Sequence, residues 1–364
     1  MSLTLFLFVL ELGLRIYNPI HVPLRANDIV LPVNNRFQYK NDSNLDKVDA
    51  VVVNTYNSLG FRGAEPPKDF ASATTLLTIG GSTTACHGLT DGKTWPDLVA
   101  ANLSDVPKLW LNNAGLDGHS TFGHLVLLKQ VVAGLKPDYV LYLTGVNDVG
   151  RADLNDWDKG LAADQASLGS SIIKHSELLS TIQVFSRTFR AIDLGVFQRK
   201  DLDVLKHPSV SIDDAAIDAT LAEHRAKYVP GYRTRMLQLI TETRKAGIEP
   251  VLLTQPALYG DAVDPTTNVA LGDLEFAGKS NARQQWRVLE LYNDALRELG
   301  NEHKVHVIEL ARQMPKDSKY YTDWIHYSRA GAERVAAIVA EGLRPLLQQG
   351  SEHEHTRNFG LLSR

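Results

Sequence analysis

The chain has 364 residues, 44% hydrophobic and 22% charged, a globular composition that excludes a disordered chain and a multi-span membrane protein. Its 38 basic and 42 acidic residues leave a formal net charge of −4, so no basic excess drives phosphate binding, which argues against a general nucleic-acid binder. The single cysteine, Cys86, excludes an intramolecular disulfide and any cysteine-rich metal site.

Residues 3–10 read LTLFLFVL, followed by ELGLRIYNP. That apolar run is far short of the roughly 20 residues a spanning helix needs, and no basic stretch precedes it as in a signal peptide. Two readings stay open: a short buried or surface helix, or the last part of a membrane anchor. The all-round apolar character favours the anchor, which would associate the chain with a membrane through its N-terminus and place it in the cell envelope. Residues 20–75 are turn-rich, with no helical period. TLLTIG (75–80) reads as a buried strand. A helix follows over 94–103, a strand over 108–113, a helix over 120–135 and a third strand over 138–145. Residues 151–245 carry helical patterns and no clear strand. EPVLLTQ (249–255) is a fourth strand, 284–300 a helix, and HKVHVIEL (303–310) a fifth strand. The last helix starts after Ser328, a plausible cap. Strands alternating with helices imply a parallel sheet covered on both faces. The expected organisation is an apolar segment 1–20, a single domain 21–348 with a helical insertion 151–245, and a polar, frayed tail 349–364.

Sites in open α/β sheets collect at strand ends, and four strand-end loops here have unusual residues. They are Gly80-Gly81-Ser82-Thr83, Asn112 to Gly118 (NNAGLDG), Thr144 to Asp148 (TGVND) and Asp323-Trp324-Ile325-His326. A serine after two glycines exposes its hydroxyl, but it is a poor nucleophile without a base. His326 is the base candidate. Asp323, three residues earlier, can reach the imidazole within one turn and fix its tautomer. The N–H groups of Ser82 and Gly115 and the side-chain amide of Asn147 are candidates for holding an oxyanion. Glycine at 115 would leave a substrate room to approach. Each element alone is weak, but the four together are in an order that one reaction needs.

This set resembles the SGNH hydrolase superfamily, the GDSL-like esterases and lipases. Ser82, Gly115, Asn147 and His326 match the four residues of its name, with Asp323 beside the histidine. NSLGFRG (57–63) and ELGLRIYNP also resemble bacterial members that follow an N-terminal membrane segment. The usual first block of that family has Asp where this chain has Gly81. The resemblance covers roughly 50–150 and 245–345, leaving 151–245 outside. It implies a flavodoxin-like three-layer α/β/α sandwich with a five-strand parallel sheet. It implies ester hydrolysis through an acyl-serine, on a small-molecule, glycan or lipid ester, with no metal or organic cofactor. An acyltransferase with the same triad and a non-catalytic acyl-glycan binder are the rivals.

Other motifs weigh less. No G-x-S-x-G elbow of the α/β-hydrolase type is present. GLTDGKT (88–94) has only three residues between its glycines, one short of a phosphate-binding loop. His353 and His355 are in the polar tail. His119 is a candidate for lining the site entrance, although a capped helix start at Ser120 explains its segment equally. Cys86 reads as a small buried residue.

Overall fold

The computed structural model describes residues 2–17, 24–25, 28–41, 46–152, 172–173, 175–193, 202–278 and 280–361. An antiparallel ribbon, β1 (Arg36–Lys40) with β2 (Val51–Thr55), precedes the main sheet. It lies within the turn-rich residues 20–75. Five strands follow: β3 (Thr74–Gly80), β4 (Leu109–Asn113), β5 (Tyr139–Leu143), β6 (Glu249–Leu253) and β7 (His306–Ile308). They form one parallel sheet in the order β7-β6-β5-β3-β4. Counted within the sheet this is 2-1-3-4-5, the flavodoxin-like order, whose direction of winding reverses between β3 and β5.

The helices that build the layers and carry the site are α1 (Leu3–Ile16), α2 (Ser82–Ala85), α3 (Trp95–Asn102), α4 (Thr121–Leu127), α5 (Glu177–Asp193), α6 (Asp214–Glu223), α7 (Val229–Lys245), α8 (Ala282–His303) and α9 (Arg329–Leu361), with short helices at Ala133–Leu135 and Leu310–Gln313 besides. Local chemistry sets their starts. Thr94 and Asp97 close a capping box on α3. Asn281 caps α8 through the Gln284 N–H, and Ser328 accepts from the Gly331 N–H at the head of α9. The strands are apolar on both faces because both are covered. Leu76, Leu141 and Val251 pack with Trp95 and Val99 of α3 and Val335 and Val339 of α9. Leu77, Val140 and Leu252 pack on the other side with Leu127 of α4, Met236 and Ile240 of α7 and Leu296 of α8. The result is the expected three-layer α/β/α sandwich.

The segment 151–245, expected to be an insertion, is not wholly one: its last helix, α7, is the crossover that covers β5 and β6, with Tyr232, Met236 and Leu239 fully buried. Residues 153–171, 174 and 194–201 of that segment lie outside the described residues. Helix α9 takes in most of the segment expected as a tail. No residue of α1 is buried. Its Glu11 accepts from Ser176 Oγ and the Glu177 and Leu178 N–H groups, joining α1 to the head of α5. Among the described residues no helix is long and apolar enough to cross a membrane.

Candidate active site

Strand β3 delivers the serine. It ends at Gly80, Gly81 continues extended at φ −84° and ψ −150°, and Ser82 opens the single turn α2. The head of a helix leaves N–H donors unsatisfied, and Ser82 places its own there. The candidate base, His326, arrives from the β7 edge of the sheet, on the loop between β7 and α9. His326 Nε2 lies 2.8 Å from Ser82 Oγ, and His326 Nδ1 lies 2.6 Å from Asp323 Oδ2. The second carboxylate oxygen, Oδ1, accepts from the Ile325 and His326 N–H groups, both at 2.8 Å. Asp323 therefore folds its own loop while it aims the imidazole. With Nδ1–H directed at the carboxylate, Nε2 is left to accept the serine proton. Burial pushes the Asp323 carboxyl up, but the His326 side chain and the two backbone donors outweigh it and hold the group below the usual carboxylate range.

Asn147 follows β5, across the switch point from Ser82. Its Nδ2 donates to the His119 carbonyl at 3.0 Å, leaving the second amide hydrogen free for a ligand. A Cβ on Gly81 would stand 2.2 Å from that nitrogen. The glycine found where the family's first block usually has Asp thus lets the amide close on the serine's own peptide. Gly81, Thr83, His119, Thr144, Asn147 and Gln255 line a small polar recess here.

Gly115 has a role other than the one expected. Its N–H is taken by Asn113 Oδ1 at 2.8 Å, and the Asn113 amide donates to Thr84 O at 2.7 Å. A Cβ at 115 would meet Ala85 N at 2.4 Å and Thr84 C at 2.7 Å. Glycine is needed for the backbone of α2 to approach, not to admit a substrate. The same loop is pinned to the strand by Leu116 N–H to Gly80 O at 3.0 Å.

Several supporting residues escaped the sequence reading. Arg62, only 2% exposed, holds Ala85 O and Leu89 O and pairs with Asp91, so the quoted NSLGFRG segment braces the tail of α2. Lys316 donates to Ala257 O and Tyr259 O, and Leu258 N–H reaches Trp324 O, tying the loop after β6 to the Asp323–His326 loop. Trp324 meets His207, Tyr259 and Phe276 ring to ring. Buried Asp148 accepts from Thr121 and Arg235. Arg235 on the buried face of α7, beside Tyr232, Met236 and Leu239, was the available signal: an arginine among core positions needs a buried partner.

Cys86 is buried, and burial pushes its thiol up to about 12, which removes it as a nucleophile. Residues 88–94 form a loop that ends in the Thr94 cap, with Lys93 paired to Asp49. His119 and His124 are buried, and burial pulls them down to about 4 and about 3. His353 and His355 lie beyond the residues whose side chains are described. Among the described residues no group of His, Cys, Asp and Glu could hold a metal ion.

A sequence model described as the GDSL-like lipase/acylhydrolase family matches residues 78–334. A comparison with curated proteins finds no match. Among solved structures, an acetylxylan esterase from Geobacillus stearothermophilus is similar at 16% identity, covering 74% of this chain and 94% of its own, with a TM-score of 0.43. A lipase/acylhydrolase from Enterococcus faecalis is similar at 18% identity, covering 74% and 96%, with a TM-score of 0.41. An α/β hydrolase enzyme from the metagenome of Lake Arreo, Spain, is similar at 17% identity, covering 74% and 95%, with a TM-score of 0.42.

Proposed function

We propose that this chain, which belongs to the GDSL-like lipase/acylhydrolase family and is therefore an ester hydrolase, works through an acyl intermediate on Ser82. The observation that supports this reading is the continuous relay from Asp323 through His326 to Ser82, at 2.6 and 2.8 Å. In the reading, Ser82 Oγ attacks the ester carbonyl carbon and passes its proton to His326 Nε2. The imidazolium is stabilised by the Asp323 carboxylate. Negative charge collects on the former carbonyl oxygen, where the Ser82 N–H and the Asn147 amide are the donors. One donor of this kind is worth about 2.7–4 kcal/mol in the transition state. Since the Gly115 N–H is engaged within its loop, we assign the third donor to Gly118, the next glycine of that loop, which takes φ 72°. It directly precedes the residue whose carbonyl holds the Asn147 amide. The tetrahedral adduct collapses, the alcohol leaves with the proton from Nε2, and water repeats the sequence on the acyl-serine.

The substrates we assign are acyl or acetyl esters of a small molecule, a glycan or a lipid. The rings of Trp324, Tyr259, Phe276 and His207 pack together at the Asp323–His326 loop, and we assign them to one wall of the substrate site. Residues 202–210, part of the segment expected to shape the pocket, border it through Leu202 N–H to Thr322 O and Val210 N–H to Asp273 O.

The test is hydrolysis of p-nitrophenyl acetate, butyrate and octanoate by wild type and Ser82→Ala. Turnover should fall by roughly a thousandfold or more in the variant, and the chain-length ranking of the wild type would define the acyl pocket. A folded wild type that hydrolyses none of the three would overturn the esterase reading in favour of acyl transfer or binding.

A further inference from the structure

We propose that Arg235 is a positioning residue for the oxyanion donor Asn147, an inference that rests on Asn147 serving as that donor. Asn147 and Asp148 are adjacent on the loop after β5, and His119 to Thr121 lie beside them at the head of α4. Two rungs join the segments. Asn147 Nδ2 donates to His119 O at 3.0 Å, and the Asp148 carboxylate accepts from Thr121 N–H at 3.2 Å and from Thr121 Oγ at 2.5 Å. The first rung sets where the free amide hydrogen points, and the second sets the spacing of the first.

The second rung depends on a buried charge. Asp148 is fully buried, and Arg235, 7% exposed, reaches it from α7. Arg235 Nη2 lies 3.3 Å from Asp148 Oδ1, and Nε donates to Thr121 Oγ at 2.6 Å. The guanidinium stacks over Phe122, 4.0 Å from its ring centroid. Two prongs of one planar group therefore hold both sides of the rung, which a lysine cannot do. Without the guanidinium, the desolvated carboxylate keeps the Thr121 donors but loses this opposite charge, so its surroundings must rearrange or admit water. Either response shifts the loop that carries Asn147. Helix α7, a core crossover helix, thereby also sets the geometry of the site.

A double-mutant cycle on turnover tests the inference, using Arg235→Met and Asn147→Ala singly and together, with p-nitrophenyl butyrate. Asn147→Ala alone should lower kcat by about 100-fold or more. Arg235→Met alone should lower kcat by roughly tenfold with KM changed by less than about twofold, because the donor acts in the transition state. In the Asn147→Ala background, Arg235→Met should cost less than about twofold further. Arg235→Lys should lie between wild type and Arg235→Met, and its own cycle decides the matter should the methionine variant fail to fold. Equal losses in both backgrounds would overturn the positioning role and leave Arg235 a stability residue. An Arg235→Met enzyme with wild-type turnover would also overturn it. Wild-type turnover in Asn147→Ala would instead overturn the assignment of the donor itself.

Discussion

Replacing Gly81 with alanine isolates one distance. The backbone at 81, φ −84° and ψ −150°, is extended with negative φ, so the left-handed strain that favours glycine does not enter. The added Cβ would stand 2.2 Å from Asn147 Nδ2 and 3.2 Å from His119 O. Ordinary contact begins at 3.4 Å, so the amide must retreat by about 1.2 Å. The amide is the end of a side chain, so the retreat costs little folding energy. It is nonetheless larger than the about 0.5 Å within which a catalytic group must be held. A displacement near 1 Å or the loss of one oxyanion donor each costs about 100-fold. We therefore expect kcat for p-nitrophenyl butyrate to fall about 100-fold in Gly81→Ala, with a shift in melting temperature of no more than a few degrees. The double variant Gly81→Ala/Asn147→Ala should be no slower than Asn147→Ala alone, since the clashing atom is gone. Turnover of Gly81→Ala within about threefold of wild type would refute the argument, as would two fully additive losses.

Two further outcomes concern stability. His124 is buried, and burial lowers its pKa from 6.5 to about 3. Between those values the unfolded chain binds a proton that the folded chain refuses, so stability is full above about 6.5 and declines as pH falls toward 3. His124→Leu should flatten the fall in melting temperature between pH 6.5 and 4, with parallel curves as the contrary result. Gly115→Ala drives a Cβ into the backbone at Thr84 and Ala85, where nothing flexible can yield. It should cost about 1–3 kcal/mol in urea unfolding, and an unchanged midpoint would show that α2 is not packed against that loop.

The sequence by itself determined the sheet and the pairing of Asp323 with His326. Both depend on short-range signals: apolar runs of strand length set β3 to β7, and the Asp323-to-His326 spacing closes within one loop. Asn147 was legible for the same reason, as a polar pair at a strand end. Other roles were decided only by tertiary structure. Gly115 looked like a concession to substrate, but the backbone of α2, 30 residues away in the chain, occupies that space. Arg235 and Asp148 are 87 residues apart, and the residues between them gave helical patterns that seemed unrelated to the site. The β1–β2 ribbon does carry a period of two, in RFQYK and in the inward Val52 and Asn54, but its place beside the loop after α2, where Val53 N–H donates to Thr90 Oγ at 3.0 Å, is a tertiary contact. Local pattern fixes which residues can do chemistry. How a donor is held depends on buried partners brought together from distant segments, and periodicity does not record those contacts.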